Sequence, residues 1–229
     1  MCQLLGLNSS VPAGLGSFFD VFAERGGRTD EHKDGWGIAF HSGKRCRLYT
    51  DHRAAIDSPL AARIRHRPLR ARNILAHIRK ATQGRIALEN SHPFARRLWG
   101  LTWCFAHNGD LKGFAPAAGR FAPRGDTDSE AAFCHLLSRL AERFPAGAPD
   151  TAVLRAALAD VAAEIATHGT FNFILSNGDT LFAHCSTHLH YRIDAGRAMI
   201  ATQPVDTRQG WVAFAPGELK AFGSGTLYP

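Results

Sequence analysis

The sequence predicts an α+β fold in which helices cover a mostly antiparallel sheet system. Short apolar runs bounded by turn residues dominate both halves of the 229-residue chain, as is typical of strands joined by turns. Two longer runs with helical periodicity separate the early strands from the late ones. This order differs from the regular alternation of strand and helix that predicts a parallel sheet. We therefore expect residues 1–229 to form a single layered domain.

Nine segments have the composition of strands, and most of them end in Asn, Gly, Asp or Pro. They are Gln3–Leu7, Trp36–Phe40, Arg47–Tyr49, Ile74–Ile78, Thr102–Ala106, Phe171–Leu175, Thr180–His184, Leu189–Ile193 and Ala198–Ala201.

Three segments carry apolar residues at the spacing of one helical face. They are Leu15–Ala23, a run from about Asp128 to Phe144, and a run that begins after Asp150. Thr127 and Glu130 have the spacing of a capping box, and Asp150 is a favourable N-cap.

Composition argues against several classes of protein. The formal net charge of +7 includes a basic stretch from Arg63 to Arg72, but no aromatic residues interleave there to stack on bases, so we expect no nucleic-acid partner. No apolar window approaches 18 residues, so we expect no membrane helix. The first basic residue is Arg25, so the N-terminus lacks a basic n-region and we expect no signal peptide. Five widely spaced cysteines without a CxxC pair favour a reducing, cytoplasmic location.

Cys2 is a candidate nucleophile because it follows Met1. Cysteine is small, so we expect an aminopeptidase to remove Met1 and leave Cys2 with a thiol and a free α-amine. Such an amine has a pKa near 8 and can serve as general base for the thiol, as in N-terminal threonine hydrolases. Taken alone, a cysteine at position two is usually an ordinary residue.

Asn108 and Gly109 follow the predicted strand Thr102–Ala106 in the sequence HNGD (107–110). Asn-Gly is first of all a hairpin signal, which predicts a turn. The pair could also stabilise an oxyanion, because an amide side chain and the next N–H can converge on one oxygen where glycine permits close approach.

Arg79 and Asp128 could bind the two charged ends of an amino acid. Arg79 follows the predicted strand Ile74–Ile78, and a guanidinium can hold a carboxylate through two parallel hydrogen bonds. Asp128 could hold an ammonium group, although an acid at a helix start is also favoured by the helix dipole.

Taken in order, five short segments resemble the class II glutamine amidotransferases. The segments are Met1-Cys2, DGWG (34–37), HIRKAT (77–82), HNGDL (107–111) and TDSE (127–130), and the resemblance covers roughly residues 1–205. Within the family, the chain is most similar to the stand-alone YafJ-type branch. That closer similarity rests on MCQLLG at the start, HKDGWGIAF (32–40), LENSHPF (88–94) and IATQP (200–204).

The resemblance implies the N-terminal nucleophile hydrolase fold, an αββα sandwich with two stacked, mostly antiparallel sheets. It implies that Cys2 is the nucleophile, with its α-amine as base, and that Asn108 and Gly109 form the oxyanion hole.

The resemblance also implies a substrate, which is glutamine or another γ-glutamyl amide opened through a thioester on Cys2. Arg79, supported by Thr82, would bind the α-carboxylate, and Asp128 would bind the α-amine. No metal and no organic cofactor is implied.

Two departures from the family pattern bear on the reaction. Lys80 and Gln83 stand at the variable places of a segment that synthase-linked members tend to read as HTRWATHG. The YafJ-type branch tends to carry a long insert between the strand near Tyr191 and IATQP, whereas here only Arg192–Met199 intervene. We therefore expect hydrolysis without a partner and an open leaving-group side near the region after Tyr191. The residues after 205 are too few for a second, ammonia-using site.

Three alternatives remain open at this point. The chain could hydrolyse another γ-glutamyl compound in thiol metabolism, or it could lend ammonia to a separate protein. It could also be a catalytically silent regulatory or scaffold protein that keeps the pocket, which retention of Met1 would favour.

A histidine-rich segment, HCSTHLH (184–190), offers a rival reading as a zinc site. Strand alternation would place His184, His188 and His190 on one face, but a flat row of ligands closes poorly around an ion. We expect a packed or solvated strand face there, and structural roles for His77 and His92.

Overall fold

The computed structural model describes residues 2–67 and 69–229, which form two stacked sheets between two pairs of helices. The helices are α1 (Ser17–Glu24), α2 (Pro59–Arg65), α3 (Asp128–Arg143) and α4 (Thr151–Ala166), and 3₁₀ turns lie at Ala55–Asp57 and Leu88–Asn90. The strands are β1 (Gln3–Ala13), β2 (Trp36–Ser42), β3 (Arg45–Asp51), β4 (Ala71–Ile78), β5 (Phe94–Leu98), β6 (Leu101–Leu111), β7 (Gly169–Ser176), β8 (Thr180–His184), β9 (His190–Asp194), β10 (Arg197–Ala201), β11 (Val212–Ala213), β12 (Leu219–Gly223) and β13 (Thr226–Leu227).

Each sheet is antiparallel between neighbouring strands. The first has the order β11-β9-β10-β1-β4-β2-β3, and the second has the order β13-β12-β8-β7-β6-β5. β1 is central in the first sheet and β6 lies next to the edge of the second. The predicted α+β sandwich is therefore confirmed.

Three apolar clusters fill the spaces between the four layers. One packs α1 and α2 on the first sheet, another packs α3 and α4 on the second, and a third lies between the sheets. Alternation along β1 shows how one strand serves two layers: Leu5 and Leu7 face the helices, whereas Leu4 faces the other sheet, as a period of two requires. Gly6 also faces the other sheet, where an added Cβ would lie 3.1 Å from Ile174 Cδ1.

A buried ion pair fixes the chain before α3. Thr127 caps the helix by accepting from the Glu130 N–H at 3.2 Å, which confirms one half of the predicted capping box. The Glu130 carboxylate does not complete the box. It accepts instead from Arg96 and from the backbone N–H groups of Arg124 and Gly125.

All nine predicted strands and all three predicted helices are present, most of them with shifted ends. Asp150 caps α4 by accepting from the Val153 N–H at 2.9 Å. The prediction missed β5, β11, β12, β13 and α2. The short helix α2 begins at Pro59 after Ser58, whose hydroxyl accepts from the Ala61 N–H.

Two local predictions were wrong. Asn108 and Gly109 do not form a turn, because β6 continues through them to Leu111 and pairs with β7. The histidine segment is not one strand, because β8 ends at His184 and β9 begins at His190. In both places the pairing partner across the sheet, which local composition does not reveal, decides where the strand ends.

No helix within residues 2–67 or 69–229 is long and apolar enough to cross a membrane.

We expect Glu130→Ala to lower the free energy of unfolding by about 3–5 kcal/mol, because it leaves the guanidinium of Arg96 buried without its partner. The matched control is Asp160→Ala, which removes the exposed pair with Arg143 and should change stability by less than about 1 kcal/mol. Urea denaturation of both variants measures the difference. Equal losses would contradict a dominant role for the buried pair.

Candidate active site

The sheet register places Cys2 against the segment that follows β4. Gln3 pairs with Ile78, so Cys2 comes opposite the backbone of Arg79 and Lys80. The Lys80 N–H lies 3.2 Å from Cys2 Sγ and donates to it, and the thiol can donate to the Lys80 carbonyl at 3.3 Å. Burial raises the pKa of the Cys2 thiol, and the Lys80 N–H opposes that rise. A thiol held neutral in this way needs a base during attack.

Asn108 reaches the same place from the second sheet. Its side chain is fully buried, and its Nδ2 lies 3.3 Å from Thr202 Oγ1. Thr202 is bonded in turn to β1: its Oγ1 accepts from the Leu4 N–H at 3.0 Å, and its own N–H donates to the Leu4 carbonyl at 3.1 Å. One hydroxyl therefore joins Asn108 to the strand that carries Cys2.

The backbone at Gly109 has no room for a side chain. A Cβ there would lie 1.8 Å from the Thr170 carbonyl oxygen and 2.5 Å from His107 Nε2. His107 is itself fixed, because its ring nitrogens contact Ser129 Oγ at 2.8 Å and the Thr170 carbonyl at 3.0 Å. Glycine is required at position 109 by this close approach.

Arg79 is buried, and its guanidinium organises the loop that follows it. It donates to the carbonyl oxygens of Gln83, Gly84 and Arg85 at 2.8, 3.2 and 2.9 Å. The guanidinium has five N–H donors, so these bonds leave donors for a carboxylate. The sequence did not indicate this second role in shaping the loop.

Gln83 fastens that loop to β6, since its side-chain amide donates to Asp110 Oδ1. Asp34 holds the other end, because its carboxylate accepts from the Ala81 N–H at 2.8 Å. Thr82 lies between these anchors, is exposed, and makes no side-chain hydrogen bond to another described residue. Its predicted role stays a prediction.

Asp128 begins α3 beside the end of β6. Its carboxylate oxygens accept from the Leu111 N–H at 2.9 Å and from the Ser129 N–H at 2.8 Å. The side chain is partly exposed, and carboxylate oxygens can accept more than one bond each. Its negative charge raises the pKa of Cys2, whereas the charge of Arg79 lowers it. Both side chains therefore act on the thiol electrostatically.

His77 and His92 lie side by side beneath this region, with ring centroids 4.1 Å apart. Burial lowers the pKa of His77 to about 3 and also lowers that of His92. Both rings are therefore neutral and packed, in agreement with the predicted structural roles.

A cavity of about 640 Å³ opens beside Cys2. Its lining includes Gln3, which follows Cys2 in the sequence, and Lys80, whose backbone contacts the Cys2 sulfur. Thr202 also lines it. The other lining residues are Thr29, Asp30, Glu31, His32, His188, His190 and Gln203. A second cavity of about 440 Å³ lies on the helix side of the first sheet. None of the six predicted site residues lines either cavity, although the first one borders Cys2 through Gln3 and Lys80.

The predicted contact between the leaving group and the region after Tyr191 stays a prediction, although the turn in that region lies far from Cys2. β9 and β10 turn tightly at Ala195 and Gly196, both with positive φ, and Arg197 pairs with Ser9. Seven residues of strand separate Ser9 from Cys2, which is roughly 23 Å. The cavity uses the start of β9 instead, at His190.

The sequence profile of the glutamine amidotransferases class-II matches residues 1–195. The chain belongs to the class II glutamine amidotransferases. Among members of this family, YafJ of Escherichia coli (strain K12), provisionally named a glutamine amidotransferase, is 40% identical over an alignment of 248 positions, which covers 97% of each chain.

Two solved amidotransferases share the fold. A predicted glutamine amidotransferase from Pseudomonas aeruginosa is 34% identical, with a TM-score of 0.79 over the full length of both chains. Glutamine phosphoribosylpyrophosphate amidotransferase from B. subtilis has a TM-score of 0.68 at 14% identity, and the match covers 99% of this chain and 48% of that one. This last similarity shows the fold alone.

We expect an alkylating glutamine analogue to modify Cys2 and none of the other four cysteines. Cys104, Cys134 and Cys185 are buried, and Cys46 lies far from the cavity beside Cys2. Peptide mass mapping of the treated protein locates the adduct, and Cys2→Ala provides the unlabelled control.

Iodoacetamide provides a second control, since it does not need a glutamine site. Excess glutamine should protect Cys2 from it and leave the labelling of the partly exposed Cys46 unchanged. An analogue adduct on Cys46 would show that the nucleophile is misassigned.

Proposed function

We propose that this chain is an amidohydrolase that transfers the γ-glutamyl group of glutamine, or of a related γ-glutamyl amide, to the Cys2 thiol and then to water. The observation that carries the proposal is the convergence on Cys2. The Lys80 backbone holds its sulfur, and Thr202 links Asn108 of the other sheet to Leu4, two residues further along the same strand.

Acylation begins when the Cys2 sulfur attacks the γ-carbonyl carbon. The α-amine of Cys2, free once Met1 is removed, accepts the thiol proton. It then returns a proton to the departing nitrogen, so ammonia or an amine leaves and the γ-glutamyl thioester remains. Water attacks the thioester with the same amine as base, which releases glutamate and restores the thiol. The predicted loss of Met1 itself falls outside the described residues.

Asn108 and Gly109 would stabilise the oxyanion formed in both steps. Thr202 accepts one Nδ2 hydrogen of Asn108, which orients the amide and leaves the second hydrogen to donate. Preorganised donors of this kind act where charge develops, and they are held here by the sheets instead of by a loop.

Arg79 and Asp128 would bind the amino-acid end of the substrate. The buried guanidinium keeps donors beyond its three loop contacts, and the carboxylate lies partly exposed beside the end of β6. Because both groups touch parts of the substrate that do not react, they contribute chiefly to binding.

Processing gives the first test. We expect intact mass spectrometry of the active protein to show that Met1 is absent, because only a free α-amine can act as base. A protein that retains Met1 uniformly and still turns over would show that another group takes the proton.

Kinetics separates the oxyanion residue from the binding residues. Asn108→Ala should lower kcat by about 10²–10³ with little change in KM, because its donor acts in the transition state. Arg79→Ala and Asp128→Ala should mainly raise KM. The assignment of Asn108 is contradicted if its substitution raises KM and leaves kcat unchanged.

The cavity beside Cys2 is large enough to hold the leaving group of an amide that releases an amine larger than ammonia. A volume of about 640 Å³ lies in the range of sites for whole small molecules. We expect kcat/KM for γ-glutamyl anilides or peptides to equal or exceed that for glutamine. Gln203→Trp, at an exposed lining residue, should reduce kcat/KM for the bulky amide more than for glutamine.

The opposite pattern would favour a partnered enzyme. A strong preference for glutamine, an equal effect of Gln203→Trp on both substrates, or activity that needs a second protein would each contradict hydrolysis of bulky amides by this chain alone.

A further inference from the structure

A second cluster of reactive side chains lies between the sheets, away from the candidate active site. His41 belongs to β2, Cys46 to β3 and Cys104 to β6. His41 and Cys46 are paired across the β2–β3 hairpin, and Cys104 faces them from the other sheet. One ligand atom from each of the three residues lies within 4.8 Å of the other two.

This cluster is separate from the chemistry at Cys2. Cys104 and Asn108 lie on the same face of β6, four residues apart, which places them roughly 13 Å from each other. Within the described residues 2–67 and 69–229, no other group of His, Cys, Asp or Glu meets the same criterion of proximity.

The protonation states suit a metal ligand set. Burial lowers the pKa of His41 to about 4, so the imidazole is neutral and has a nitrogen lone pair. Its Nδ1 contacts Ser176 Oγ at 3.2 Å, and the ring also lies beside the backbone of Gly43. Metal-ligating histidines commonly bond through the second nitrogen to such an outer group.

The two thiols complete the set. Cys46 Sγ and Cys104 Sγ lie 3.2 Å apart, and two thiolates on a tetrahedral Zn²⁺ would be about 3.8 Å apart, given Zn–S bonds of about 2.3 Å. A small change of side-chain torsion would bridge this difference. Two thiolates also neutralise a divalent ion, which matters at a site enclosed by two sheets.

We propose that His41, Cys46 and Cys104 form a site for a thiophilic d¹⁰ cation such as Zn²⁺, which joins the β2–β3 hairpin of one sheet to β6 of the other. Binding displaces the two thiol protons to solvent. Cys46 is partly exposed, so the ion has a way in and solvent can fill a fourth position.

The test uses untagged, reduced, chelator-treated protein with the substitution Cys2→Ala, since an N-terminal cysteine could itself bind zinc. Titration with Co²⁺ should give one equivalent with the visible and near-ultraviolet bands of tetrahedral thiolate ligation, and Zn²⁺ should displace it. Added Zn²⁺ should also raise the Tm, because an ion that binds the native state stabilises it.

Single substitutions identify the ligands. Cys46→Ala, Cys104→Ala and His41→Ala should each weaken Zn²⁺ binding more than about 100-fold, since even outer partners of metal ligands are typically worth 10–100-fold. Cys134→Ala and Cys185→Ala are the matched controls and should bind as tightly as the parent.

A measurement without these substitutions covers the case in which they misfold. In the Cys2→Ala parent, Zn²⁺ should protect Cys46 from alkylation, as read by peptide mass mapping. The proposal is overturned if Zn²⁺ gives no protection, if Cys46→Ala binds normally, or if the reduced protein binds no equivalent. It is also overturned if the reduced protein, kept at ambient oxygen with Zn²⁺ present, forms a Cys46–Cys104 disulfide in place of the metal site.

Discussion

The hydroxyl of Thr202 fixes the relation between the two sheets at the place where chemistry can occur. It accepts from the backbone of Leu4 in one sheet and from the side chain of Asn108 in the other. Neither sheet contributes both the predicted nucleophile and the predicted oxyanion donor. The site therefore exists only where the sheets stack in this register, and the apolar cluster between them maintains that stacking.

This arrangement puts the predicted oxyanion residues on a strand and the predicted substrate-binding residues in a loop and at a helix start. Asn108 and Gly109 are part of β6, whereas Arg79 belongs to a loop tied down by Gln83 and Asp34. Groups that must hold a transition state to within a fraction of an ångström benefit from rigid elements. Groups that admit and release a small molecule benefit from a segment that can adjust.

The sequence predicted a layered α+β fold and the nine principal strands because alternation and turn residues are local signals, whereas the αββα sandwich was implied by the resemblance to the family. It could not reveal that β6 continues through Asn108 and Gly109, since the partner that prolongs the strand is β7, some sixty residues away. Thr202 was visible only as part of IATQP, with no role, because its contacts join Leu4 and Asn108 across the fold. The cluster of His41, Cys46 and Cys104 could not be recognised from motif spacing, because Cys104 comes 58 residues after Cys46 and belongs to the other sheet.

The contact between Cys2 and Lys80 connects the thiol to the loop that Arg79 organises. The Arg79 guanidinium donates to three carbonyl oxygens of this loop, and the N–H of the next residue, Lys80, donates to the sulfur. In the proposed function, a carboxylate bound by Arg79 would therefore lie one residue along the chain from the peptide unit that holds the sulfur.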